Sequence, residues 1–475
     1  MSVNSPPLGA TRGGTVELRT PAIEARARTS RTWLGLLGLT GMLLTGVLVA
    51  IAAAGTSRLL PQTLQAGIGL VGLAGTFGTT GINLGSAGLI VVMVVMFASY
   101  LASVAAAPRL SPLLVLGAIA ALHALMLLAP PLVSTDVFSY QFYGRIGGMY
   151  GVNPYLAGPH ALYLDPLYYY IGQKWVYTPT VYGPLFTGLS YLLAPLSIPA
   201  NVFAYKAVAA VSSLGVVALV WNGARLRGID PLKAAALVGL NPLVVVYGVG
   251  GAHNDLLMLI PLLAGVVLLL QRGDRLGGAQ RRERLGGASI VLAAAVKLTA
   301  GLILPFALAG ARGSARRVPR RELLIGAGAA GAALVAFTVA MFGTGPLHLP
   351  ATIEKVQANG NWQSIPGFIG TRLGLGTVGH PVALILGVLF ALALAYLLWS
   401  VWQDRLDWIA GAGWAAVALL VTAGSLLPWY AAWLMPLAAL GRDRRLWRAS
   451  IILSCVMGAF QVLSYVPHGS SVLGL

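Results

Sequence analysis

Residues 110–140 read LSPLLVLGAIAALHALMLLAPPLVSTDVFSY. From 110 to 131 the run is apolar apart from Ser111 and His123, and it then turns abruptly into Ser134-Thr135-Asp136. About 20 apolar residues make one helix across a bilayer core. Helix is the form such a run takes there, because no water satisfies the backbone N–H and C=O groups. Asp136 therefore stands where a spanning helix leaves the hydrocarbon.

The rest of the chain repeats this pattern. Of 475 residues, 57% are hydrophobic and 9% charged, with mean hydropathy +0.81. A soluble domain carries about 25% charged residues, so a soluble enzyme is excluded. The apolar content suffices for about twelve spans by the 20-residue rule. The net charge of +18 is no nucleic-acid signal, because the basic residues sit in short loops between apolar runs, the positive-inside pattern. Cys455, the single cysteine, cannot form an internal disulfide and reads as a packing residue. No cleaved secretory signal is expected. The expectation is an all-α polytopic membrane bundle of about thirteen helices including a half-length hairpin.

The arginines orient it. Residues 1–32 carry Arg12, Arg19, Arg26, Arg28 and Arg31 and read as a disordered basic cytoplasmic tail. The membrane domain covers 33–466, and 467–475 is an extracytoplasmic tail. Spans are expected at 33–54, 87–107, 110–131, 201–223, 233–250, 254–271, 322–342, 380–402, 407–427, 428–440 and 447–466. Arg109, the Arg225-Arg227-Lys233 group, loops 272–284 and 312–321, Arg405 and the cluster at 442–448 mark the inside. Loops 132–200 and 343–379 lie outside, and the run from Tyr182 to Pro195 is interfacial or re-entrant. Between the two five-arginine loops only 286–310 remains. Two half-length helices entering and returning fit there, with Lys297 near their tip. No internal repeat is evident.

Sorting the charges by side isolates the chemistry. Only seven cations fall outside the cytoplasmic segments, among them Arg145, Lys174, Lys206 and Lys297, and only four acids: Asp136, Asp165, Asp255 and Glu354. A carboxylate at the membrane face is costly if it meets lipid. Asp136 suits a wet cavity where burial tunes it as a general base, although Thr135 or Asp136 could also cap a loop helix. Asp165, before a proline, is structural or an acceptor contact. Downstream, Asn153-Pro154-Tyr155, Gly158-Pro159 and Tyr182-Gly183-Pro184 are turn signals interleaved with aromatics that include Tyr163, Tyr168 and Tyr169. Such rings form either an interfacial belt or a sugar-stacking platform.

His253-Asn254-Asp255 caps a hairpin or contacts substrate. A metal needs three or more converging ligands, and none is expected, nor any cofactor. Lys297, in an apolar run, pairs with a lipid phosphate or snorkels; Arg145 and Lys174 are alternatives for the same anion. In the second outside loop Asn359-Gly360-Asn361-Trp362-Gln363-Ser364 offers hydrogen bonds and an indole face, or is plain solvated loop. His123 reads as a packed core histidine, and Pro428-Trp429-Tyr430 as a helix break with an aromatic anchor.

Asp136-Val137-Phe138-Ser139-Tyr140, Asn153-Pro154-Tyr155, Tyr182-Gly183-Pro184, His253-Asn254-Asp255 and Lys297-Leu298-Thr299, in this order and on these sides, resemble the GT-C glycosyltransferases. More closely they resemble the actinobacterial polyprenyl-phosphate-mannose-dependent α-1,6-mannosyltransferases. The resemblance runs over about 33–466. It implies catalytic extracytoplasmic loops, Asp136 as the catalytic aspartate, and inverting transfer of mannose from a polyprenyl-phosphate donor to a growing α-1,6-mannan of a lipoglycan, in the plasma membrane. Lys297, Arg145 and His253 are then candidates for the donor phosphate. Asp255, Asn254, Tyr140, Asn153, Tyr155, Tyr182 and Trp362 are candidates for donor or acceptor sugar. A carrier of lipids or lipid-linked sugars would share the intramembrane charges, but should offer polar residues to both sides, whereas here acids and aromatics gather on one. A GT-C enzyme using another polyprenyl-phosphate sugar would keep the same plan.

Overall fold

The computed structural model describes residues 21–54, 58–65, 72–73, 75, 81–271, 276–310, 320–358, 360–376 and 378–466. The tail at 1–20, the C-terminal 467–475, Asn359 and the loop arginines at 272, 275, 312, 316 and 317 lie outside these. Among the described residues all regular structure is helical.

In chain order the helices are α1 (Pro21–Ala54), the single turn α2 (Gln62–Gln65), α3 (Gly85–Ala106), α4 (Pro112–Leu128), α5 (Asp136–Gly148), α6 (Pro184–Leu193), α7 (Ile198–Leu226), α8 (Pro231–Gly239) and α9 (Asp255–Leu270). They continue with α10 (Leu276–Val296), α11 (Ile303–Gly310), α12 (Arg320–Phe342), α13 (Leu349–Ala358), α14 (Ile365–Arg372), α15 (His380–Trp402), α16 (Trp408–Thr422), α17 (Ala431–Leu440) and α18 (Arg444–Ser464). Six of these are long and apolar enough to cross a membrane, seven if α8 and the bent segment after it count as one. The first helix starts at Pro21, so the tail expected up to residue 32 is helical over its last dozen residues.

Two expectations are corrected. The segment 233–250 is not one straight span: it breaks at Asn241-Pro242 and bends by 48° into a widened π-type helix, Leu243–Val249. Pro242 has no N–H to continue the ladder. Asn241 Oδ1 instead accepts the N–H of Leu243 at 2.9 Å, while its Nδ2 donates to Ser454 Oγ at 2.9 Å. The second correction is that the 286–310 pair is unequal. Its first limb is the full-length α10, and only the return, a 3₁₀ turn at Leu298–Leu302 followed by α11, is short. Arg281, Arg282 and Arg284 belong to α10 rather than to a loop, and Arg284 is accommodated by pairing with Glu322 of α12. Lys297 does sit at the tip, in extended backbone (φ −150°, ψ 123°) between the two limbs.

Close helix packing places that tip. In lipid, helices associate through small residues that let backbones approach. Gly287 of α10 and Gly326 of α12 face each other's neighbouring carbonyls, Leu323 O and Arg284 O, with no room for a Cβ. α9 runs antiparallel to α10, Gly265 against Gly286 and Ile290. The start of α9 and the end of α10 therefore meet at one rim, where α5 and the turn at 250–254 also lie.

Candidate functional site

The carboxylate at this rim is delivered by a strained corner. α4 ends at Leu128, and Lys206 of α7, fully buried, donates to the carbonyls of Ala129 and, at 2.9 Å, Pro130. Leu132 N–H then bonds Gly250 O at 3.0 Å and Val133 N–H bonds Leu59 O at 2.6 Å. Val133 has φ +62°. For a β-branched residue this left-handed backbone is an outlier that persists only where the surroundings impose it. Three residues on, Asp136 opens α5. Its backbone N–H is taken by Ser134 Oγ at 3.1 Å, and neither Thr135 nor Asp136 caps the helix with its side chain. The carboxylate is left facing inward.

Beside it is His253, whose Nδ1 lies 3.6 Å from Asp136 Oδ2 and 3.4 Å from the Tyr140 hydroxyl. The His253 ring stacks on Trp429 (centroids 3.4 Å, 15°). The Asp136 side chain keeps 23% of its exposure, yet its burial lifts the carboxyl to about 6, with Asp255 pushing the same way and Lys297, Ser134 and Lys174 opposing. Burial, then Lys297, holds the imidazole well below its ordinary value. His253 is thus neutral at pH 7, and its approach to Asp136 is a contact, not an ion pair. A carboxyl poised near neutrality can accept a proton from an alcohol.

Asp255 Oδ1 accepts from Lys297 Nζ at 2.7 Å and from Trp433 Nε1 at 2.5 Å. The ammonium also rests over the rings of Tyr430 and Trp433, 4.9 and 5.2 Å from their centroids. Four polar atoms of one turn remain buried without a protein partner: His253 Nε2, Asn254 Oδ1 and Nδ2, and Asp255 Oδ2. Such groups cost about 1–3 kcal/mol each when left unpaired, so three consecutive residues of this kind leave hydrogen-bonding capacity open at the rim. Trp433 also lines an apolar slot together with Met258, Leu262, Ala300, Ile303 and Leu419.

The structure thus brings Asp136, Tyr140, His253, Asn254, Asp255 and Lys297 together, with Tyr182 packed edge-on against Tyr140 (4.8 Å). The other singled-out residues lie elsewhere or serve the frame. Arg145 pairs with Asp165 at 2.8 Å, and Tyr150 shares the same carboxylate oxygen. Asn153 donates to Phe342 O and Tyr155 to Tyr182 O. Trp362 packs against Phe460, while its neighbour Asn361 ties the second loop to Gly424 O and Leu426 O just ahead of Trp429. Sequence reasoning missed Trp433 and treated Trp429 and Tyr430 only as an anchor. The proline break before a W-Y-x-x-W spacing was the available signal. Among the described residues no three His, Cys, Asp or Glu side chains group together.

The described residues form a helical bundle with a carboxylate, a lysine and a polar turn gathered at one rim, and the comparisons with known proteins identify its class as a membrane glycosyltransferase. A family model described as Alpha-(1->6)-mannopyranosyltransferase, N-terminal domain, matches residues 32–312, and one described as MptB C-terminal domain matches 363–474. The chain belongs to this α-(1→6)-mannopyranosyltransferase family. It is 29% identical over 371 residues to alpha-(1->6)-mannopyranosyltransferase A of Mycobacterium tuberculosis, covering 73% of this chain and 68% of that protein. It is 29% identical over 374 residues to alpha-(1->6)-mannopyranosyltransferase B of Corynebacterium glutamicum, covering 72% of this chain and 61% of that one. The match spans about two thirds of the relatives' length. No solved structure matches the chain.

Proposed function

We propose that this protein transfers mannose, with inversion, from a polyprenyl-phosphate donor to an α-1,6-mannan acceptor of a lipoglycan. The plasma membrane holds it with the N-terminus in the cytoplasm and the site outside. The observation that carries the reading is the convergence of Asp136, His253, Asp255 and Lys297 beside an apolar slot that shares Trp433 with them. A lipid-linked sugar has that same division into an isoprenoid tail, an anionic phosphate and a polyhydroxyl head. The arginine-rich segments away from the site support this sidedness.

In this mechanism Asp136 takes the proton of an acceptor hydroxyl as its oxygen attacks the anomeric carbon. The bond to the phosphate oxygen breaks on the opposite face, and polyprenyl phosphate leaves with the electron pair. Lys297 stabilises the leaving phosphate as a fixed positive charge. Asn254 Oδ1 and Asp255 Oδ2 accept from donor-sugar hydroxyls, Asn254 Nδ2 donates to one, and His253 Nε2 accepts from one.

The test is transfer from labelled polyprenyl-phosphate mannose to a short α-mannoside in membranes, comparing wild type with Asp136→Asn at equal expression. Transfer by the wild type alone supports the reading. Transfer by both moves the base away from Asp136, and transfer by neither removes this donor and acceptor.

A further inference from the structure

The outer loop carries a second group of aromatic side chains that the transfer mechanism does not use. His160, Tyr163 and Tyr177 form one exposed cluster: the imidazole lies 4.5 Å from the Tyr177 ring and stacks at 6.0 Å and 27° on Tyr163. Tyr177 is 69% and Tyr163 57% exposed. Exposed rings on a loop are ordinarily mobile, but these are braced. His160 N–H donates to Val176 O at 2.7 Å, its Nδ1 meets the Tyr168 hydroxyl at 3.2 Å, and Gly158 lies so close to the Tyr177–Thr178 peptide that a Cβ would reach it at 2.6 Å. Pro159 and Pro179 bracket the crossing. Rings held in place before a ligand arrives spare it the entropy of ordering them.

The cluster is coupled to the reaction centre through one side chain. Thr178 O, next to Tyr177, accepts from the Tyr143 hydroxyl at 2.8 Å. Burial, and then the charge of Asp136, holds that phenol above its ordinary value. A chain leaving Asp136 along α5 therefore runs past Tyr143 to Tyr177.

We infer that His160, Tyr163 and Tyr177 form a distal subsite that binds the already-made part of an α-1,6-mannan acceptor. The inference rests on the function proposed above and names where its polymeric substrate lies. The chemistry fits a glycan. A pyranose offers an apolar C–H face to a ring and hydroxyls to its polar rim, and each of these side chains has both an aromatic face and a polar tip. Anionic lipid finds little here: Arg145 is committed to Asp165, and Lys174 rests over Trp175 at 4.8 Å.

The test uses the full chain in neutral-phospholipid nanodiscs, with α-1,6-mannohexaose and mannobiose as probes followed by saturation-transfer NMR. Tyr177→Ala and Tyr163→Ala are expected to reduce the preference for hexaose over mannobiose roughly tenfold, as loss of a ring contact worth about 1.4 kcal/mol implies. Tyr177→Phe should retain most of that preference. An unchanged hexaose preference in both alanine variants overturns the subsite. So does a changed quenching of the loop by brominated lipid with glycan affinity intact, which would assign the rings to the bilayer. Hexaose binding through these rings in a protein that transfers no mannose would sustain the subsite and refute the proposed reaction.

Discussion

Lys297 Nζ and Asp255 Oδ1, 42 positions apart in the chain, lie 2.7 Å from each other where the end of α10 meets the start of α9. The pair joins the two limbs of the tip to the polar turn at 253–255. Asp255 is 1% and Lys297 16% exposed, so neither charge has water enough to stand alone.

Removing one partner therefore leaves a buried charge. Asp255→Asn or Lys297→Met is expected to cost about 3–5 kcal/mol, read as a lowered melting temperature in detergent. The double variant should recover part of that loss while mannosyl transfer stays absent. Additive losses in the double variant would show that the two groups do not depend on each other.

Asp136→Asn should lower transfer by about 10²–10⁴-fold, the usual contribution of a general base, with no loss of melting temperature at neutral pH, because the carboxylate caps nothing and its buried charge is removed.

The wild-type rate should rise with pH through about 6 as Asp136 loses its proton. The stability effect runs the other way. A carboxyl whose folded value lies above its unfolded 3.8 binds protons more tightly when folded, so its contribution is present in full below 3.8 and is lost as pH rises through 6. Acid inactivation near pH 5 should thus be reversible and without unfolding from this group. The limb should persist in His253→Gln, because the imidazole is already neutral there. A limb that vanishes with His253 would reassign the base.

Gly183 N–H donates to Val296 O at 3.1 Å, and its Cα lies where a Cβ would enter the shell of Ala295 O. Gly183→Ala should cost about 1–3 kcal/mol by overpacking. The same push moves the end of α10 and with it Lys297. KM for the lipid donor should therefore rise more than kcat falls, measured against donor concentration in nanodiscs.

Lys206→Met leaves the carbonyls of Ala129 and Pro130 without a donor in a dry interior. A loss of about 1–3 kcal/mol is expected from each unpaired group, visible in thermal melts. Lys206→Arg should recover part of it. Equal melting of wild type and Lys206→Met would show that another donor or water takes those carbonyls.

That the chain is an all-helical membrane protein was legible in the sequence, because hydropathy is a local property. So were Asp136 at the exit of α4, the His253-Asn254-Asp255 turn and Lys297 at a tip. The unequal limbs of the tip were not, since the extended first limb is held by a distant partner, Glu322; the bend was carried by Pro242 in the sequence, while its tie to Ser454 was not. Nor were the left-handed Val133, the stacking of His253 on Trp429, or the bond from Trp433 to Asp255 across 178 positions. The reason is physical. A soluble helix announces its buried side by an apolar stripe. A membrane helix is apolar all round, because lipid and protein core accept the same side chains. Its sequence reports depth along the helix axis and is silent on which face meets which neighbour. The helical, apolar character of the segments was therefore determined by the sequence alone. The juxtaposition of Asp136, His253, Asp255 and Lys297 was decided only when the helices packed.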